Sequence, residues 1–380
     1  MSVAETLDQT RGVGTELTRV GLTKATHIGG EFYTSPEIAA LEKDNIFMHD
    51  WLWVARAEEL PNSGDFMTFR IADEPIVITR NRDGEIKAFA NVCVHRGVEV
   101  ASGKGNTKEF SCPYHGWLYD LDGKLVGAPY MKEAEGFDPG SCRLKPIKVA
   151  SWQGWVVVSF ADDPPLIDDW FADFERDFNF LHQERCRLVE KAVYEVDCNW
   201  KFAVENFMDY YHAQVLHADT FGGAININTV PFTLHRNGGF SAFYDAAPTA
   251  PDDKSILPKL PWLEDKEETF GAGGAIAPNV NYFGRIDEVF VMINWPISID
   301  RTRIIVYMLI PEEHLEIPGL DEIVARYRSY LDAVVQEDVS MVRALQRNMY
   351  SRTFAPGRMS KIEAPIHHYV NHNLDRIFGG

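Results

Sequence analysis

Two short runs, ANVCVHRGVEV and EFSCPYHGWLYD, hold the residues of this 380-residue chain best suited to bind a soft metal. Cys93 and His95 stand one residue apart, Cys112 and His115 two apart, and 16 residues separate the pairs. Gly97, Pro113 and Gly116 accompany them, residue types that let backbone close around a small ligand. Two thiolates and two imidazoles would suit tetrahedral zinc. Zinc ribbons usually pair Cys with Cys in each knuckle, whereas each loop here offers one Cys and one His. The mixed pairing fits a [2Fe–2S] cluster in which one iron takes two cysteines and the other two histidines.

A second group lies in NWKFAVENFMDYYHAQVLH, where Glu205, Asp209, His212 and His217 follow the spacing Glu-x3-Asp-x2-His-x4-His. Steps of about 100° per residue put the first three on one helix face and His217 about 140° from His212. For both histidines to meet one ion, the helix must loosen or end between them, for instance at a π-bulge. Two histidines and one carboxylate are the ligand set of non-haem Fe(II) oxygenases, which leaves positions open for O2. Glu337 and Asp338 in VVQEDVSM offer the carboxylate, flanked by Val334, Val335 and Val339. A carboxylate among inward-facing valines must be paired or metal-bound. Without a metal, the same residues read as backbone-bonded histidines and a solvated acidic pair. Asn206, Phe207, Met208 and Leu216 sit beside the histidines and are candidate pocket residues. The remaining histidines, from His27 to His372, lack ligand-like partner spacing.

Length and a 45% hydrophobic content predict two domains that position these groups. From about residue 50 to 160, short alternating stretches such as DFMTFRI, EPIVITR and WVVVSF, punctuated by NSGD, NRDGE and LDGK, predict an all-β module. The texture changes at ADDPPLIDDW, which places a boundary near residue 163, and WFADFERDFNFLHQERC then has helical spacing. KAVYEVDCNWKFAVENF passes from strand to a helix that should run through about Val215. Residues 220–280, rich in Gly, Pro and Asn, predict pocket-lining loops. EVFVMINWPISID and TRIIVYMLIPEEH read as two strands, and LDEIVARYRSYLDAVVQEDVSMVRALQRNM as one long amphipathic helix. The second domain is therefore α+β. With 37 basic and 56 acidic residues the formal charge is −19, which argues against nucleic acid or anionic membrane as a partner. The absence of a long apolar run and of signal-peptide blocks predicts a soluble, cytoplasmic protein. The five cysteines, which include Cys142, Cys186 and Cys198, are odd in number and scattered, so metal or packing roles are expected rather than disulfides.

On these residues, the stretch from Asn91 to Asp120 resembles the cluster-binding region of Rieske proteins. It departs from the respiratory branch, whose loops each carry an extra cysteine, since Val98 and Tyr114 stand there. Trp117 replaces a serine that hydrogen-bonds the cluster, and fewer such bonds imply a lower reduction potential. From Asp50 to about Asn348, the chain resembles the catalytic subunit of ring-hydroxylating Rieske oxygenases, with Glu-Asn-x2-Asp-x2-His-x4-His as the specific signature. The resemblance implies an α+β protein in three parts: an N-terminal arm (1–47) packing on the catalytic domain, a Rieske domain (48–163), and a helix-grip, START-like catalytic domain (164–380) with an antiparallel sheet and a long C-terminal helix.

It further implies one [2Fe–2S] cluster on Cys93, His95, Cys112 and His115, and one Fe(II) on His212, His217 and Asp338. Asp338 is preferred to Glu337 for its place at the end of Gln-Glu-Asp. Asp209 would link His212 of one subunit to His115 of its neighbour. A ring follows, expected as a homotrimer rather than an assembly with a small β subunit. Partners would be O2, a small organic substrate, and a reductase or ferredoxin, with NAD(P)H acting only indirectly. The expected function is hydroxylation or oxidative demethylation of an aromatic or cyclic molecule. The enzymatic alternative is a quaternary-ammonium monooxygenase of the choline or carnitine type. Those relatives show Glu-Cys-Tyr-His-Cys around the first histidine, whereas residues 209–213 here read Asp-Tyr-Tyr-His-Ala. A Rieske electron carrier is the non-enzyme alternative, with about two irons per chain instead of about three.

Overall fold

The computed structural model describes residues 15–220, 225, 227, 230–246 and 255–378. They fall into two compact units, one of residues 47–167 and one that joins the described residues before 47 to those from 168 onward.

The first unit is built of strands: β1 (Leu52–Arg56), β2 (Asp65–Ile71), β3 (Glu74–Arg80), β4 (Ile86–Ala90), β5 (Lys104–Asn106), β6 (Phe110–Ser111), β7 (Leu118–Tyr119), β8 (Leu125–Gly127), β9 (Pro146–Trp152) and β10 (Trp155–Ser159). One sheet has the order β1-β10-β9-β4-β3-β2-β5, and β6-β7-β8 form a small second one. β1 and β10 are buried along their whole length, so LWVA and WVVV read as continuous apolar runs rather than alternations. Ala72 and Asp73, which join β2 to β3, both have positive φ, the two-residue turn whose twist matches antiparallel strands. The two Cys-and-His loops leave β4 and β6.

The second unit contains α1 (Thr15–Thr18), α2 (Glu31–Thr34), α3 (Pro36–Glu42), α4 (Ile167–Phe178), β11 (Cys186–Val196), α5 (Trp200–Met208), α6 (Ala213–Leu216), β12 (Phe232–Leu234), β13 (Phe240–Asp245), β14 (Phe270–Ile276), β15 (Val280–Arg285), β16 (Val289–Ser298), β17 (Arg301–Pro311), α7 (Leu320–Met349) and α8 (Ala364–Phe378). Its strands make one antiparallel sheet in the order β11-β17-β16-β15-β14-β13-β12. α7 buries Val324, Tyr327, Leu331, Val335, Val339 and Val342, an inward stripe at three- and four-residue spacing. The N-terminal helices hold α5 in place. The Tyr33 ring stacks on Phe202 with centroids 3.9 Å apart, and its hydroxyl donates to Glu205 at 2.9 Å. Glu42 accepts from Trp200 Nε1 at 2.9 Å and pairs with the Lys201 ammonium, all three being buried. Among the described residues, no helix is long and apolar enough to cross a membrane.

Two sequence expectations are corrected. The helix predicted through about Val215 ends at Met208, because Asp209 takes an extended backbone and its carboxylate accepts from Tyr211 N–H at 2.8 Å. Such a local side-chain bond competes with the helical ladder. The break therefore falls before His212, and not between His212 and His217. Residues 220–280, read as loops, contain β12, β13 and β14 in their described part. The glycines of FGAGGAI suggest a turn but serve close packing in an interior strand. A Cβ on Gly273 would lie 2.6 Å from Tyr210 Oη, and one on Gly274 2.7 Å from the Phe178 ring.

Candidate metal centres and the adjoining cavity

The two Cys-and-His loops close in the same way. Cys93 N–H donates to Val98 O at 2.8 Å and Gly97 N–H returns to Cys93 O at 2.8 Å; Cys112 N–H donates to Trp117 O at 2.8 Å and Gly116 N–H returns to Cys112 O at 3.0 Å. Closing so tightly requires the positive φ of Gly97 (+85°) and Gly116 (+70°), which glycine adopts without a Cβ clash. Both cysteines are buried, and His95 and His115 converge with Nδ1 atoms 3.1 Å apart. Tyr119 Oη accepts from Val94 N–H at 3.2 Å and lies 3.2 Å from Cys93 Sγ, so its own proton is available to the sulfur. The Trp117 ring stacks on His95, with centroids 4.7 Å apart and 8° between planes. Desolvation, with the neighbouring His95 and Arg96, lowers the His115 pKa and favours the neutral, ligating imidazole. Two thiols and two imidazoles on paired loops fit a [2Fe–2S] cluster.

In the larger unit, His212 Nε2 lies 3.2 Å from His217 Nε2, and Asp338 Oδ1 lies 3.5 Å from the first and 3.1 Å from the second. His212 is presented by the turn that follows α5, His217 by the end of α6, and Asp338 by the inward side of α7. Two further carboxylates take the outer ring nitrogens. Asp209 Oδ2 is 3.2 Å from His212 Nδ1, and Glu337 Oε2 is 2.7 Å from His217 Nδ1. With Nδ1–H bound outward, each Nε2 keeps a lone pair for the centre. Thr220 Oγ1 donates to Glu337 at 3.0 Å and steadies it. Adjacent residues on α7 thus divide the work, Asp338 facing the histidines' inner nitrogens and Glu337 an outer one.

The electrostatics agree with a cation site. Burial pushes the Asp338 carboxyl up, but the His212 and His217 imidazoles pull it down further, to about 2. Burial lowers His212, yet Asp209 and Asp338 overcome this and raise it to about 9. His217 is raised as well, burial being outweighed by Asp338 and Glu337. Asp338 Oδ1 is buried and has no donor aligned for a hydrogen bond, although two Nε2 atoms are near. Two imidazoles and a carboxylate converging on one point fit a ferrous ion with coordination positions left over. Among the described residues, no other group of three His, Cys, Asp or Glu side chains converges so closely.

A cavity opens at this triad. α5 and the turn after it contribute Asn206, Phe207 and Tyr210, α7 contributes Leu331 and Val334, and the sheet contributes Tyr244, Met292 and Arg285. Of the sequence-derived pocket candidates, Asn206 and Phe207 line it, while Met208 and Leu216 are not part of its wall. Met208, about 100° around the helix from Phe207, is fully buried instead. Tyr210, Tyr244 and Arg285 were not singled out from sequence.

The family model described as ring hydroxylating alpha subunit (catalytic domain) matches residues 183–379, and that of the Rieske [2Fe-2S] domain matches residues 50–151. The glycine betaine monooxygenase oxygenase subunit of Chromohalobacter salexigens is 37% identical over 195 residues, 51% of this chain and 44% of that protein. Its counterpart in Pseudomonas aeruginosa is 29% identical over 368 residues, 87% of this chain and 84% of that protein. A solved quaternary ammonium Rieske monooxygenase, described in terms of carnitine oxidation and inter-subunit electron transfer, superimposes with a TM-score of 0.78 at 25% identity. The match covers 93% of this chain and 95% of that one.

Proposed function

Because the chain belongs to the family of Rieske-type non-haem iron oxygenases, we propose that it is the terminal oxygenase of a multicomponent system that oxidises a small methylated quaternary ammonium compound. The observation that carries this reading is the similarity, over most of the chain, to oxygenase subunits named for glycine betaine. Of the two substrate classes expected from sequence, the ammonium class is thereby better supported than the aromatic or cyclic one. The cavity is compatible with a cation. Asp209 and Asp338 place carboxylates at the metal-site end of the cavity, and Phe207 and Tyr210 line it with aromatic rings.

Cys93, His95, Cys112 and His115 would hold the cluster, and His212, His217 and Asp338 the ferrous ion. When bound, these groups supply stored electrons and a site for reducing O2. Asp209 and Glu337 orient the histidines and fix which ring nitrogen carries the proton. The apolar wall from Leu331 to Val342 keeps bulk water from the reacting end. We also assign Asp209 as the polar link from His212 to His115 of a neighbouring subunit in a homotrimer. This is supported by the exposure of His115 and by Val94 and Tyr114, 47% and 54% exposed on the same two loops, which offer apolar surface for docking. A reductase or ferredoxin, drawing on NAD(P)H, would deliver the electrons.

The test is turnover by the iron-loaded protein with NADH and a generic reductase on a panel of trimethylammonium compounds and aromatic acids. Substrate-dependent O2 uptake with an oxidised or demethylated ammonium product is expected. Oxidation of the aromatic members alone would overturn the reading.

A further inference from the structure

The cavity contains a charge for which the metal centre has no use. Arg285, the last residue of β15, is 5% exposed and lines the same cavity as His212 and Asp338. Its Nη1 donates to Tyr244 Oη at 3.1 Å and to Gly284 O at 3.2 Å, and its Nε is buried without an acceptor. Among the described residues it makes no ion pair. Glu288, the acid whose field reaches it, is itself buried beside Asp287 and makes no ion pair with the guanidinium. A guanidinium stays protonated in a protein, and a buried charge calls for a counter-ion.

The surrounding strands make room for this arrangement. Gly271 pairs with Arg285 across β14 and β15, and a Cβ there would lie 3.2 Å from Arg285 Nη1. The rings of Tyr244 and Phe283 lie 5.3 Å and 5.7 Å from Arg285 Cζ. Those aromatic faces are therefore taken by the protein's own cation, and a substrate ammonium would be repelled from them.

We propose that Arg285 binds a carboxylate of the substrate, and that the substrate is a zwitterion of the betaine class. Its methylated ammonium lies toward Asp209 and Asp338, and its carboxylate pairs with the planar fork of Arg285. The inference rests on the quaternary-ammonium reading and narrows it. A trimethylammonium alcohol such as choline would leave the buried guanidinium unpaired and is selected against for that reason.

The experiment compares wild-type holoenzyme with Arg285→Gln and Arg285→Lys on glycine betaine, carnitine, choline and aromatic carboxylates. Iron content and the cluster's visible spectrum report whether each variant is intact. Arg285→Gln should raise KM for the carboxylate-bearing ammonium substrates about 10- to 100-fold with kcat little changed, and Arg285→Lys should recover part of the loss. Choline, a poor substrate of the wild type, should be affected far less. Equal effects on choline and betaine, or none on either, overturn the anchor while leaving the ammonium reading intact. An enzyme that oxidises only aromatic carboxylates, with an Arg285-dependent KM, overturns the ammonium reading and the zwitterion with it.

Discussion

A proton and a metal ion compete for His212, and the competition has a predictable pH dependence. In the metal-free protein, Asp209 and Asp338 hold the imidazole at about 9 against an ordinary 6.5. That difference corresponds to about 3 kcal/mol in favour of the protonated folded state. Since the folded value is the higher one, this stabilisation is complete below pH 6.5 and is lost as pH rises through about 9. Asp338 behaves in the opposite sense. Its value is lowered from 3.8 to about 2, so its contribution is present above pH 3.8 and is lost as pH falls through about 2. The two describe one pairing and are not additive. A ferrous ion must displace the His212 proton, so its apparent affinity should rise at least about tenfold per pH unit between about pH 6.5 and 9, then level off. The assay is an anaerobic Fe(II) titration of protein stripped of mononuclear iron but retaining its cluster. Calorimetry in buffers of different ionisation enthalpy would count the protons released. A flat affinity over this range, or no proton release near pH 7.5, would refute the placement of His212 between Asp209 and Asp338.

Two substitutions probe the outer carboxylates. Asp209→Asn, assayed with Fe(II) in excess so that both metal sites stay filled, should reduce substrate-coupled turnover by at least about 100-fold, as judged by product formed per NADH consumed; full activity would remove Asp209 from the link between centres. Glu337→Gln weakens a 2.7 Å contact to His217 Nδ1 and should lower Fe(II) affinity about 10- to 100-fold, read from retention after desalting, with the cluster spectrum unaltered.

Much of the site could be read from sequence because its chemistry lies in local spacing. Cys93-x-His95 and Cys112-x2-His115 each occupy one loop, and Asp209, His212 and His217 lie within nine residues of chain. Asp338 was reachable because α7 keeps a regular three-and-four spacing of valines around it. What escaped depended on distant packing. The end of α5 at Met208 is set by the side-chain bond of Asp209 to Tyr211 N–H, a competitor that periodicity does not register. β14 was missed because its glycines, a turn signal by composition, are required by Tyr210, Tyr244 and Phe178 arriving from elsewhere in the chain. Arg285 was missed for the same reason, since nothing near it in sequence shows that its guanidinium is buried in the cavity that holds the triad. The Asp-Tyr-Tyr-His-Ala departure from the ammonium-oxidising pattern weighed against that substrate class, yet Asp209 keeps the carboxylate beside His212 and Tyr210 supplies an aromatic wall.

The two-metal design requires His212, His217 and Asp338 to hold an iron separate from the cluster. Iron per chain and the visible spectrum, measured together on wild type and Asp338→Ala after reconstitution, decide it. About three irons falling to about two, with the cluster's spectrum unchanged, is the predicted result. Iron remaining at about three, or loss of the cluster's colour along with the mononuclear iron, would contradict the assignment.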